Sequence, residues 1–227
     1  MRPVLSIVIP TANAERALAL TLESLAEAET LPIELVIADG GSTDGTLEFA
    51  RRHGARVVTA QKGRGVQLAA GAQAATGAWL LFLHADTVLS AGWAREAARF
   101  MADPQNERRA AVFRFALDDG APAARRVEKM VRWRCRRLGL PYGDQGLLIC
   151  RRFYDSLGGF RPMPLMEDVD LVRRIGRRRL ARLDATATTS AVRYRGSGYL
   201  WRGALNLACL GLYIAGVEPR LIARFYG

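Results

Sequence analysis

Acidic residues at the ends of apolar runs are where this 227-residue chain could do chemistry. Asp39 closes one such run and is followed by Gly40-Gly41-Ser42-Thr43-Asp44-Gly45-Thr46. A carboxylate there can accept two hydrogen bonds from a ribose or a base edge, and the glycines let a ligand approach the backbone. The same stretch also reads as an ordinary turn. Asp86 stands just past the wholly apolar Trp79-Leu80-Leu81-Phe82-Leu83. A carboxylate at that lip suits Mg2+ or Mn2+ holding diphosphate oxygens, and the cation would neutralise charge on a leaving diphosphate. A turn cap is its plainer use. His84 fits a packed side chain, a ribose contact or a metal ligand. Lys62 and Arg64, flanked by Gly63 and Gly65, could reach a phosphate or the base, or simply form a solvated basic loop.

A second acidic group, Glu167-Asp168-Val169-Asp170, follows Pro162-Met163-Pro164. Acids at a helix start complement its dipole. Alternatively, one of them removes a proton from an acceptor hydroxyl during attack. Tyr142-Gly143-Asp144-Gln145-Gly146 comes shortly before and could line the same cleft.

The elements that must position these residues follow from hydrophobic spacing. Residues 4–9, 33–38, 56–59 and 79–83 read as strands, with Pro10 ending the first. Between them lie helical patterns: one with Leu18, Leu22 and Leu25 and with Asn13 as N-cap, one ending near His53 and Gly54, and one over 66–76. Strands alternating with helices imply an α/β fold, a parallel sheet covered on both faces. In such sheets ligands bind beyond the carboxyl ends of the strands, and there Asp39, the Lys62/Arg64 loop and Asp86 fall. The second half predicts strands over 110–117 and 147–150 and an edge strand over 186–194. It also predicts a very basic helix over 125–138, an acid-led helix over 166–174 and an apolar helix over 203–216.

No linker or repeat divides the chain, so one domain is expected. Net charge is +11, almost all from arginine, which favours anionic partners. Cys135, Cys150 and Cys209 are odd in number and lack metal-type spacing, which suits a reduced cytoplasmic protein. The N-terminal apolar run is too short for a signal peptide, and residues 204–217 fall short of a bilayer span of about 20 residues. A peripheral position on the inner membrane face stays open for the basic and apolar helices, as does a homodimer contact.

Taken in order, Ser6-Ile-Val-Ile-Pro10, Asp39-Gly-Gly-Ser-Thr-Asp-Gly45, Gly77-Ala-Trp-Leu-Leu-Phe-Leu-His-Ala-Asp86, Gly143-Asp-Gln-Gly146 and Met166-Glu-Asp-Val-Asp-Leu171 resemble the family 2 inverting glycosyltransferases of the GT-A fold. The Gly143–Gly146 and Pro164-Leu-Met-Glu-Asp168 stretches resemble most the subgroup labelled arsenosugar-biosynthesis, or selenodomain-associated, transferases. The resemblance implies a GT-A, Rossmann-like, mostly parallel sheet with helices on both faces and a helix-rich C-terminal acceptor part. Residues 1–118 would bind the nucleotide sugar, through Pro10, Thr11, Asn13, Asp39, Gly41, Ser42, Lys62, Arg64, His84, Ala85 and Asp86. Residues 119–227 would form the acceptor side, with Asp144, Gln145 and Gly146. Asp39 would contact a nucleotide, uridine first among bases, Asp86 would hold Mn2+ or Mg2+, Asp168 would be the general base and Glu167 would position the acceptor. His84 departs from the pattern, replacing the first aspartate of the acidic triplet. The Gln-x-x-Arg-Trp signature of processive members is missing, which implies transfer of a single sugar, and the resemblance makes a UDP-sugar the expected donor.

Three rivals are weaker. A dinucleotide oxidoreductase needs Gly-x-Gly-x-x-Gly after the first strand, where this chain has Pro10-Thr-Ala-Asn-Ala-Glu15. A nucleotidyltransferase would place a Gly/Arg-rich triphosphate loop there. A non-catalytic basic module binding nucleic acid or membrane leaves the strand-end acids unexplained, since acids repel phosphate backbones, so nucleic acid is not the expected partner.

Overall fold

The computed structural model describes residues 3–226. Its first half alternates β1 (Leu5–Thr11), α1 (Glu15–Leu25), β2 (Ile33–Asp39), α2 (Thr46–Arg52), β3 (Arg56–Thr59), α3 (Arg64–Ala74) and β4 (Trp79–Phe82). Then come β5 (Thr87–Leu89), α4 (Trp93–Ala102), β6 (Ala110–Leu117), α5 (Pro122–Leu138), β7 (Leu147–Cys150) and α6 (Arg151–Ser156). The chain ends with α7 (Glu167–Ile175), β8 (Leu180–Thr189), α8 (Val192–Ser197), α9 (Tyr199–Ile214) and α10 (Pro219–Tyr226).

One eight-stranded sheet runs in the order β3-β2-β1-β4-β7-β6-β8-β5. The first four strands are mutually parallel, β6 and β8 are parallel, and β7 and β5 join antiparallel. β1 and β4 are almost wholly buried, as apolar runs covered by helices on both faces must be. The main core lies along the sheet. A second apolar cluster joins α7 to α9 and α10 through Val169, Val172, Cys209, Leu210 and Ile222, and a third lies under α5.

Four sequence expectations change. Pro10 does not end β1, which continues to Thr11. The Val8 carbonyl faces the β4 side, where Leu83 N–H donates to it at 3.0 Å. Pro10 faces the same side past the end of β4, so its missing N–H costs no ladder bond. Asn13 is not a helix N-cap: at φ 52° its side chain turns to the neighbouring loop, and α1 starts after Ala14 with no side-chain cap. α3 begins at Arg64, two residues earlier than the pattern suggests, so half of the expected basic loop is its first turn. The last strand is Leu180–Thr189 and is interior, because the three-residue β5, too short to register as a run, pairs outside it.

Candidate active site

At the carboxyl ends of β1 and β2 the loops are tied together by side chains. The Asp39 carboxylate is buried and accepts four hydrogen bonds: Thr11 Oγ1 at 2.8 Å, Ser42 Oγ at 2.5 Å, Gly41 N at 2.9 Å and Ser42 N at 2.8 Å. Burial pushes its pKa up, but the Ser42, Thr11 and Gly41 donors outweigh this and hold it below the ordinary carboxylate value. All four lone-pair directions are used, so Asp39 shapes the loop and a base or ribose contact requires one donor to yield. Asn13 Oδ1 accepts from Thr43 N at 2.8 Å, and Asn13 N donates to Ser42 Oγ at 2.8 Å, fixing this wall.

Beside that wall lies an open cleft of about 850 Å³, bordered by Pro10, Thr11, Asn13, Arg64, His84, Ala85 and Asp86. Seven of the expected nucleotide-side residues therefore share one surface. Gly41 is exposed, Lys62 is exposed, and neither borders this cleft.

A second cleft, of about 560 Å³, shares Arg64, His84 and Asp86 with the first and adds Tyr142, Gly143, Asp144, Asp168, Arg202 and Asn206. Met166, in the left-handed region at φ 66°, turns the chain into α7 and buries its own side chain. The three acids that follow then diverge. Asp170 is held by Arg161 at 3.2 Å and by Arg174 Nε at 2.9 Å. Glu167 is buried with Arg64 Nη1 at 3.5 Å. Asp168 borders the cleft, its Oδ2 accepting from Gly143 N at 2.7 Å. A Cβ on Gly143 would lie 2.7 Å from His84 Nε2 and 3.5 Å from Asp168 Oδ2, so only glycine permits this approach.

Burial, reinforced by the Asp168 charge and opposed by Arg64, raises Glu167 well above the carboxylate range. Burial likewise raises Asp144 to about 6, with Arg134 opposing and Asp168 and Asp86 adding. Carboxyls poised nearer neutrality at a cleft are a mark of acid–base sites.

Among the described residues no cluster of three or more His, Cys, Asp or Glu side chains could hold a metal by itself. Asp86 nonetheless fits a cation shared with phosphate. It borders both clefts and accepts no hydrogen bond or ion pair from the described residues. Mg2+-type ions commonly take one or two carboxylates plus substrate phosphates.

Of the other expected acceptor-side residues, Gln145 points away from the clefts. It donates to Phe113 O at 3.1 Å and accepts from Cys135 Sγ at 3.0 Å. Gly146 borders a neighbouring apolar pocket with Leu83, Phe160 and Asp168.

Sequence reading missed Gln67, which is buried and donates to Thr11 O at 2.7 Å and Ala38 O at 2.9 Å, stapling the ends of β1 and β2. It also missed Arg202 and Asn206 of α9. Asn206, the single polar residue within the apolar run 204–217, was the signal available for it.

A mostly parallel sheet with carboxylates beyond its strand ends and an acid-led helix across the cleft is an arrangement that suits an enzyme acting on sugar nucleotides, and comparison with known proteins gives the family. Residues 6–156 match Glycosyl transferase family 2, and the chain belongs to that family. Over 94 residues it is 44% identical to a PGL/p-HBAD biosynthesis glycosyltransferase of Mycobacterium bovis and to a counterpart from Mycobacterium tuberculosis. The match spans 38% of this chain and only 37% of those relatives. The fold resembles the mannosyltransferase PcManGT of Pyrobaculum calidifontis in complex with GDP-Man and Mn2+, with TM-score 0.65, 18% identity and coverage of 95% of this chain and 64% of that one. It also resembles glucosyl-3-phosphoglycerate synthase of Mycobacterium tuberculosis with Mn2+ and UDP, with TM-score 0.60, 19% identity and coverage of 90% and 79%. At these identities the likeness establishes the GT-A fold.

Proposed function

We propose that this chain transfers one sugar from a nucleoside-diphosphate donor, a UDP-sugar, to an acceptor hydroxyl with inversion at the anomeric carbon. The observation that carries this is the divergence of the α7 acids: Asp168 alone of the three borders the cleft that also holds Asp86 and His84. The donor would lie along the β1–β2–β4 ends with its diphosphate toward Asp86 and Arg64. Asp168 takes the acceptor proton as the acceptor oxygen attacks and the bond to the diphosphate oxygen breaks on the opposite side. Arg64 faces the charge that develops on the leaving diphosphate, and its contact with Glu167 fixes it there. Glu167 reaches the acceptor side through that pair. Mn2+ or Mg2+, held by Asp86 and diphosphate oxygens, would supply charge neutralisation on the leaving group. The arsenosugar-type subgroup rests on the Gly143–Gly146 and Pro164–Asp168 motifs alone.

Calorimetric titration of UDP with and without Mn2+ tests the donor site. Wild type should bind at micromolar affinity only with the metal, and Asp86→Ala should lose at least about tenfold. GDP binding in place of UDP would change the base assignment and keep the class. No nucleotide binding under any metal condition would sink the reading.

A further inference from the structure

α9 is polar on the wrong side for a helix facing water. Its exposed positions Trp201, Ala204, Leu207, Ala208, Gly211 and Leu212 recur at helical spacing and carry no polar side chain. Its inward positions include Arg202 and Asn206, which border the acceptor-side cleft, and the buried Cys209 and Leu210. A helix at a water interface shows the reverse arrangement. The apolar strip continues onto neighbours. Met130 of α5 lies 3.5 Å from where a Gly203 Cβ would stand, and Trp133 beyond it is 57% exposed. On α10, Phe225 is 75% exposed while Ile222 anchors the helix inward. Among the described large hydrophobic side chains that are exposed, all but Val4 and Leu20 lie from residue 130 onward. Such clustering marks a contact surface.

The charges around the strip decide what covers it. Arg126 and Arg137 of α5 and Arg220 and Arg224 of α10 are exposed on the helices that flank α9. A second copy facing this surface across a twofold axis would bring like-charged rims together on a chain of net charge +11. An anionic lipid surface satisfies both halves, with apolar side chains in the acyl boundary and arginines at the headgroups.

We propose that α9, with α10 and the adjoining end of α5, docks on an anionic lipid surface, inserting Trp201, Leu207, Leu212 and Phe225. An α-helix with its side chains is about 10–12 Å across, so docking holds the Arg202/Asn206 wall within about that distance of the headgroups. The inference goes beyond sugar transfer and stands without it.

Flotation of the full chain tests it, with vesicles of phosphatidylcholine alone and of phosphatidylcholine with phosphatidylglycerol at about three to one. The wild type should float with the anionic vesicles, at least about tenfold more than with neutral ones, and detach as salt rises. The triple variant Trp201→Ser, Leu207→Ser, Leu212→Ser should lose about tenfold or more, and Arg220→Gln with Arg224→Gln should lose only the preference for anionic lipid. Far-UV circular dichroism and the thermal midpoint of each variant report an intact fold without reference to nucleotide binding, which separates this outcome from that of the functional reading. Quenching of tryptophan fluorescence by brominated lipid in the wild type needs no variant and should be seen. Wild type remaining unbound to anionic vesicles, or a folded triple variant floating equally well, overturns the proposal. Sedimentation showing a dimer that the triple variant dissociates, without flotation, assigns the face to a second copy and overturns it too.

Discussion

Asp168, Glu167 and Asp170 have the same chemistry and lie within four positions, yet their surroundings separate their work. Asp168→Asn should lower kcat about 10²- to 10⁴-fold while leaving UDP affinity within about twofold, measured by turnover and calorimetry. Asp144 offers a pH test. Its ordinary value is 3.8 and burial raises it to about 6, so between these pH values the folded chain holds a proton that the unfolded chain has lost. Stability from this group is therefore full below about pH 4 and falls as pH rises toward 6, by about 3 kcal/mol. Denaturant unfolding across that window should show the decline, and Asp144→Asn should flatten it, leaving the part due to Glu167, which is raised in the same direction. At this scale the motif residues were legible in the sequence. Which acid faces the cleft was not legible from these residues alone, and only the resemblance singled out Asp168, because the choice depends on Arg64 and Arg161 from other segments as well as on Arg174 one turn along α7.

Elements hold the site through a few close approaches. Gln67, on the inward face of α3, donates to two strand-end carbonyls, Thr11 O and Ala38 O, and so ties the helix to the ends of β1 and β2. Gln67→Leu removes both of these bonds, while Thr11 O keeps the one from Gly40 N, and should destabilise by about 1–2 kcal/mol, read from the denaturation midpoint. Gly143→Ala drives a Cβ to 2.7 Å from His84 Nε2 and should displace the 143–145 turn that donates to Asp168. We expect turnover to fall about tenfold or more with little change in melting temperature, because the turn lies at the cleft lip and outside the core. The strand runs 56–59, 110–117 and 147–150 were legible in full from their apolar content. Helix starts were not. The N-cap signal at Asn13 was spent on a long-range bond to Thr43 instead.

Across the whole molecule, the C-terminal helices support α7, which carries Asp168, from behind. Leu210 and Ile222 are buried against Val169 and Val172 of α7. Leu210→Ala should cost about 2–5 kcal/mol and, by loosening α7, lower turnover beyond what the remaining folded fraction explains. Unfolding curves and activity at one temperature check both halves of that expectation. The sequence by itself determined the alternating architecture, the strand ends that carry Asp39 and Asp86, and the family. Each of these is a local pattern, of period two or 3.6 or of contiguous motif residues. Only the tertiary structure decided that β5 closes the sheet edge, that Asp39 is saturated by its own loop, and that α9 turns Arg202 and Asn206 inward while leaving an apolar face outside. Those outcomes depend on pairings between segments tens of residues apart, and a helix's sequence states which faces differ without stating which one meets the protein.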